Sequence, residues 1–345
     1  MDHIDDRVLV TGGTGFIGGW TVVELLRLGY RVRTTVRSAA RGQAVRDAVA
    51  GQVDAGDRLE LAEADLTSPD GWDDAVAGCS AVIHPASPLV GGDAPDPDEL
   101  IVPARDGVLH VLRAAAAAGV GRVVMTSAAN TASPTSYTAG GVYDETTFSA
   151  DDPAFPAYRR SKIVAERAAW DFMAGYDGPT TLTTVLPGAV FGPVLSGGSL
   201  GSVQIIQRLL EGKMPGVPRV GLEVVDVRDV VDLHLRAMTS PAAAGERFLG
   251  TGEFLWMRDI AAALRAGLGE QGRRVPTRQL PDVAVRIAAR RDPGLRSIIP
   301  GLGRRAVHST EKARRVLGWT TRPAADTVVD TARSLFEWKA VAADR

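Results

Sequence analysis

The stretch Val8-Leu-Val-Thr-Gly-Gly-Thr-Gly-Phe-Ile-Gly18 constrains this chain more than any other. A short β-branched apolar run stops in Gly12, Gly15 and Gly18. A helical pattern then begins, with Trp20, Val23, Leu26 and Leu28 on its apolar side. Gly12 permits a tight turn, Gly15 lets backbone approach a ligand without a Cβ, and Gly18 lets helix and strand pack closely. Strand, glycine turn and helix in that order suit a dinucleotide pyrophosphate, because free N–H groups at the helix start face the anion.

Downstream, apolar runs and helical patterns alternate. Strands are expected at Tyr30–Arg37, Arg58–Leu66, Ala81–His84, Arg122–Ser127 and Thr181–Val185. Helices are expected at about Ala39–Ala50, Asp73–Gly78, up to Ala118 after a Gly/Pro/Asp loop at Gly91–Asp98, and Tyr158–Ala174. This regular alternation predicts an α/β fold, a Rossmann doubly wound parallel sheet. Beyond Val190 the pattern loosens into helices at Ser202–Leu210, up to Met238, from Met257 and at Pro323–Ala340, with strands at Val224 and after Glu246. The expected division is a nucleotide domain at 1–190, with 222–250 returning to it, and a smaller interleaved C-terminal substrate part at 191–221 and 251–345. A length of 345 residues suits one large domain or two intimate ones. Asn130–Asp152 reads as a loop of roughly twenty residues, a length that is usually functional.

The formal net charge of −2 argues against nucleic-acid binding by bulk charge. Cys79 is the sole cysteine, so no internal disulfide forms and no metal-type Cys/His cluster is present. The start, Met-Asp-His-Ile-Asp-Asp-Arg, is acidic where a signal peptide would be basic. No apolar run reaches the ~18 residues of a membrane span. The expectation is a cytoplasmic enzyme, monomer or homodimer, acting on a small molecule.

Near the end of the second strand an NAD-binding unit carries an acidic residue for the ribose 2′-OH. Here stands Arg37, followed by Arg41. A guanidinium suits a 2′-phosphate, so NADP(H) is expected over NAD. Asp65 falls where its side chain would accept from the adenine amino group, or where it closes its own turn. His84, on an apolar strand beside a proline, reads as structural rather than as a base.

Tyr158-x-x-x-Lys162 opens a helix, and four residues put both side chains on one face. A phenol near pKa 10 is a poor acid–base catalyst at neutral pH, and a neighbouring ammonium is expected to lower it. Downstream of a dinucleotide turn and a fifth strand, the pair gains specificity.

Together these motifs resemble the extended short-chain dehydrogenases/reductases, and within them the dihydroflavonol reductase-like aldehyde and ketone reductases. The carriers span nearly the whole chain: Thr11 to Gly18, Val32-Arg-Thr-Thr-Val-Arg37, Ile83-His-Pro-Ala-Ser87-Pro, Thr126-Ser127, Tyr158-x-x-Ser-Lys162, Pro187-Gly-Ala-Val-Phe-Gly-Pro193, Val227-Arg-Asp-Val-Val231 and Leu317-Gly-Trp319. The resemblance implies NADPH-dependent carbonyl reduction. Tyr158 would give the proton and Lys162 would hold the nicotinamide ribose. Thr14, Phe16, Ile17, Leu66, Pro85, Ala86, Ser87 and Thr126 would line the cofactor, and Pro187 and Val190 would meet the carboxamide. There is one departure. Such chains usually end the fifth strand in Thr-Ser-Ser, whose last serine polarises the carbonyl, whereas Thr126-Ser127-Ala128 stands here. Ser127 is expected to take the role, with Asn130 or Thr131 as substitutes.

A sugar-nucleotide epimerase or dehydratase uses the same scaffold, but Arg37 disfavours it. A catalytically weak NADP-sensing protein is favoured by Ala128 and opposed by Tyr158 and Lys162. Gly197-Gly-Ser-Leu-Gly201 mimics a hydrolase nucleophile elbow, yet no strand pattern directly precedes it. The arginine-rich stretch Arg273–Arg305 reads as a solvated face, with an acidic substrate as its alternative.

Overall fold

The computed structural model describes residues 6–88, 96–134, 140–197 and 201–341. β1 (Arg7–Val10) leads through the glycine turn into α1 (Phe16–Arg27). β2 (Arg31–Val36), α2 (Gly42–Ala50), β3 (Leu59–Glu63), α3 (Trp72–Val76), β4 (Ala81–His84), α4 (Asp98–Ala117) and β5 (Arg122–Thr126) continue the alternation. β6 (Gly141–Tyr143) precedes α5 (Ala157–Ala174), β7 (Thr181–Pro187), β8 (Ala189–Phe191), α6 (Val203–Leu210), β9 (Gly221–Asp226), α7 (Val227–Thr239) and β10 (Arg247–Gly250). β11 (Glu253–Trp256), α8 (Met257–Leu268), α9 (Asp282–Ala288), α10 (Pro293–Ile298), β12 (Ala306–His308), α11 (Glu311–Leu317) and α12 (Ala324–Glu337) complete it.

Seven strands form one sheet in the order β10-β7-β5-β4-β1-β2-β3. Every pairing in it is parallel. The expected doubly wound sheet is therefore present. Its strand order reverses between β4 and β1, the switch point where such sheets open a crevice at their carboxyl edge.

Side chains alternate across β1. Val8 and Val10 join Val22, Leu25 and Leu26 of α1 and Val230 of α7 on one face. Leu9 joins Trp72 of α3, Val111 and Leu112 of α4 and Ala165 of α5 on the other. That period of two lets one apolar strand serve both layers. A third core gathers Phe191, Ile206, Ile260, Leu264, Val328 and Leu335 beside a small sheet ordered β11-β9-β8.

Some expectations are corrected. The 130–152 loop contains β6, which pairs in parallel with the distant β12. A three-residue strand whose partner lies far along the chain leaves no local periodicity. Leu28, expected on the apolar side of the first helix, is 51 % exposed just past its end. Most of the expected 91–98 loop, and 198–200 of the Gly197–Gly201 run, lie outside the described residues.

Candidate active site

The nucleotide side of the crevice is built from backbone. Gly12 has φ +68° and its N–H donates to Thr35 Oγ1 at 2.9 Å, tying the turn to β2. A Cβ on Gly18 would stand 2.3 Å from the Gly12 carbonyl oxygen, so only glycine lets α1 pack this close. The Ala86 N–H donates to Thr11 Oγ1 at 3.2 Å, which seats the segment after β4 against the turn. No side chain caps the start of α1, so its first N–H groups face outward for an anion. Thr14 is exposed there, while Phe16 and Ile17 are half-buried against the core.

Arg37 and Arg41 follow β2 and are exposed, and the Arg37 charge acts on the Asp65 carboxyl. Asp65 accepts from the Thr67 N–H at 2.9 Å and from the Thr67 hydroxyl at 2.8 Å, closing its own turn. The Thr67 N–H, ahead of the Arg37 charge, holds its carboxyl below the usual range. Leu66 packs against α4 at Gly107, and Pro85, Ala86 and Ser87 are half-buried beyond β4. Pro187 ends β7, paired with Gly250, and Val190 is half-buried in the core that holds Phe16 and Ile17. An uncapped helix start, a glycine cradle and two exposed guanidiniums fit a phosphate-rich dinucleotide.

His84 is buried, with Nδ1 2.7 Å from Thr11 Oγ1, and burial pulls its pKa down to about 3. A ring that stays neutral and braces the strand end is structural, as expected.

The carbonyl side is built from α5. Tyr158 is 44 % exposed, yet burial among surrounding protein raises its phenol pKa. Its exposed part meets solvent, which softens that rise. Lys162 is buried, its Nζ 6.0 Å from the Tyr158 ring centroid, and burial pulls its pKa to about 8 against the opposing pull of Glu166. The expected lowering of the phenol by the ammonium is thus corrected: desolvation dominates Tyr158, and Lys162 is itself desolvated. A raised phenol keeps its proton, which suits a proton donor.

Ser127 differs from expectation. Its hydroxyl donates to Glu166 Oε2 at 2.6 Å, and both residues are buried. A hydroxyl has one proton, so this partner takes the donor a substrate carbonyl would need. The Thr131 hydroxyl lies within reach of both Glu166 Oε2 and its own turn at Ala128 O, and its one proton is shared between these two acceptors. Thr126 Oγ1 lies 2.7 Å from His234 Nε2, whose Nδ1–H donates to Val230 O at 2.7 Å. Burial holds His234 near 4, neutral, so Thr126 anchors α7 through its side chain. Ala128 is 9 % exposed and offers no donor.

Sequence reasoning missed Glu166, Arg247 and His234. Glu166 sits one helical turn past Lys162, a spacing that was legible. Arg247 and His234 reach their partners only through the fold. Among the described residues no cluster of His, Cys, Asp or Glu is placed to hold a metal. Nor is any helix there long and apolar enough to cross a membrane.

Residues 8–249 match the model of the NAD dependent epimerase/dehydratase family. The ketoreductase azaE of Aspergillus niger is 32 % identical, with 98 % of this chain and 99 % of that protein covered. Dihydroflavonol 4-reductase of Zea mays is 32 % identical over 75 % of this chain and 73 % of its own length. Among solved structures, Gre2 of Candida albicans in complex with NADPH superposes with a TM-score of 0.82 at 26 % identity, covering 96 % of this chain and 99 % of that one.

Proposed function

The chain belongs to the NAD dependent epimerase/dehydratase family, the extended short-chain dehydrogenases/reductases, and is an NADPH-dependent oxidoreductase that reduces a carbonyl to an alcohol; from that premise we propose which residues do the work and on what substrate. The substrate is a bulky, partly apolar aldehyde or ketone. The reading is carried by one observation: Tyr158 is 44 % exposed one helical turn from the buried Lys162 on α5, in a fold whose uncapped glycine turn and exposed Arg37 suit a phosphorylated dinucleotide.

NADPH, when bound, supplies the hydride to the carbonyl carbon. The uncapped turn Gly12–Gly18 would hold its pyrophosphate, and Arg37 with Arg41 would take the 2′-phosphate. Asp65 and Leu66 would meet the adenosine, and Pro187 and Val190 the carboxamide. Tyr158 holds its proton until the carbonyl oxygen gains charge and then donates it. Lys162 holds the ribose and keeps a positive charge beneath the developing alkoxide. With Ala128 at the strand end and the Ser127 proton on Glu166, Tyr158 is the principal donor to that oxygen. Residues 1–190, with 222–250, hold the nucleotide, and 191–221 with 251–345 cover the substrate, a division supported by β10 joining the central sheet.

The test is NADPH oxidation screened over aldehydes, ketones and nucleotide sugars. Turnover of apolar carbonyls and not of nucleotide sugars supports the substrate class, and the reverse overturns it.

A further inference from the structure

Glu166 is fully buried at the base of the stripe Tyr158, Lys162, Glu166, whose exposure falls from 44 % through 6 % to 0 %. Its carboxylate is held from several sides. Oε1 accepts from Thr184 Oγ1 of β7 and from Arg247 Nε of β10, each at 2.9 Å. Oε2 accepts from Ser127 at the end of β5, and Thr131 and the Arg247 guanidinium lie on the same oxygen. Arg247 reaches onward, donating through Nη1 to the carbonyls of Glu145 at 2.6 Å and Thr147 at 2.9 Å, with its guanidinium 4.2 Å from the Phe148 ring centroid. The Leu249 N–H donates to Glu145 Oε1 at 2.9 Å, pinning that loop to β10 a second time.

One carboxylate therefore joins the end of β5, the middle of β7, the start of β10, the helix α5 and the loop before it. A carboxylate needed only to fill this space has no reason to be ionised, since a buried charge is costly unless paired and bonded. Here the guanidinium and three hydroxyls meet its oxygens, and the nearest buried ammonium sits one turn along the helix.

We propose that Glu166 is a positioning residue for the reduction: with Arg247 it fixes the 127–131 and 145–148 segments around the cleft, and it sets a negative charge one turn behind Lys162. The proposal rests on the reading of Tyr158 and Lys162 as the proton-donating pair. The charged and titratable groups facing Lys162 are Glu166 on its own helix, Tyr158 above it and His84 from β4. Arg247 of β10 faces Glu166 from the far side. Glu166 is the only carboxylate among them, so it is the group whose removal acts on the lysine with a definite sign.

The chain has four lysines, Lys162, Lys213, Lys312 and Lys339. Lysine labelled with 13C gives few Cε signals, and Lys162→Arg identifies which belongs to Lys162. That signal is titrated in the cofactor-free protein, for wild type, Glu166→Gln and the doubly neutral Glu166→Gln/Arg247→Met. The double variant removes both buried charges together, so it keeps the experiment decisive where a lone Arg247 would unfold the single variant. The expected result is a Lys162 midpoint lower by about one unit in Glu166→Gln, and lower by less in the double variant, where loss of the Arg247 charge partly offsets loss of the carboxylate. In Glu166→Gln the charged fraction at pH 8 then falls from about one half to about one tenth, and kcat/KM for NADPH-dependent reduction at that pH drops about fivefold. An unmoved midpoint overturns the proposal and leaves Glu166 a structural tie. A moved midpoint with an unmoved pH profile upholds the charge of Glu166 and instead overturns the role given to Lys162.

Discussion

The two sides of the crevice are made differently. The nucleotide side is backbone and terminal charge: a glycine turn, an uncapped helix start, and the exposed Arg37 and Arg41. The carbonyl side is a set of side chains already engaged with one another, in which Thr126 holds His234 and Ser127 and Thr131 hold Glu166. A backbone cradle admits one ligand shape and little variation. A side-chain network can be rewired by one substitution and still fold. On that contrast, a change confined to the strand end at Ala128 leaves the backbone cradle untouched.

Breaking the carbonyl side at its donor gives the largest effect. Tyr158→Phe removes the acid and leaves the ring, so kcat falls roughly 10²- to 10⁴-fold, the span of general acid catalysis. NADPH affinity, read by fluorescence titration, stays near wild type. A variant that turns over at the parental rate would mean the proton comes from elsewhere. The nucleotide side breaks at Arg37→Asp, which trades a guanidinium for a carboxylate facing the 2′-phosphate. Loss of a charge-assisted bond is worth about 1.5–3 kcal/mol, so the NADPH-over-NADH preference drops roughly 10- to 150-fold. An unchanged ratio of kcat/KM for the two cofactors removes Arg37 from that role.

The same contrast governs what the sequence made legible. Gly12, Gly15 and Gly18 announce themselves because backbone constraints need glycine at fixed spacing, and the crossing of the sheet follows from alternating strands and helices. Tyr158 and Lys162 were readable as one helix face. The environment was not. The rise of the phenol and the fall of the ammonium come from burial, which a spacing of four does not encode. The engagement of Ser127 depends on Glu166, Arg247 and Thr184 converging from three other elements. Such contacts exist only after the sheet closes, so a rule that asks which serine stands nearest the motif cannot find them.

The pH profile separates the two titrating groups. Lys162 has its pKa drawn down to about 8, whereas Tyr158 is raised above its ordinary value near 10. The base therefore loses its charge first. As pH rises, kcat/KM for reduction is expected to fall through about 8 by up to tenfold per unit, well before the phenol ionises. Below that midpoint both groups carry their protons and the profile stays flat until the substrate or the fold intervenes. Initial rates from pH 6 to 10 measure this directly. A limb near 10 with none near 8 would assign control to Tyr158 alone.

The smallest effect expected is a gain. Ala128→Ser supplies the strand-end hydroxyl that the family resemblance implies. Removing such a donor from an enzyme built around it typically costs about 2.7–4 kcal/mol. Restoring it here returns less, because the surroundings have adapted to a methyl group that is 9 % exposed and nothing orients the new hydroxyl. A rise in kcat of roughly three- to tenfold on simple ketones is expected, with the KM for NADPH unchanged, since the change touches only the carbonyl side. No gain would mean that the carbonyl oxygen does not sit over residue 128, and that Tyr158 meets the substrate from another quarter of the cleft. A gain of a hundredfold would mean the pocket holds the shape of a serine site, with the rest of the donor arrangement intact.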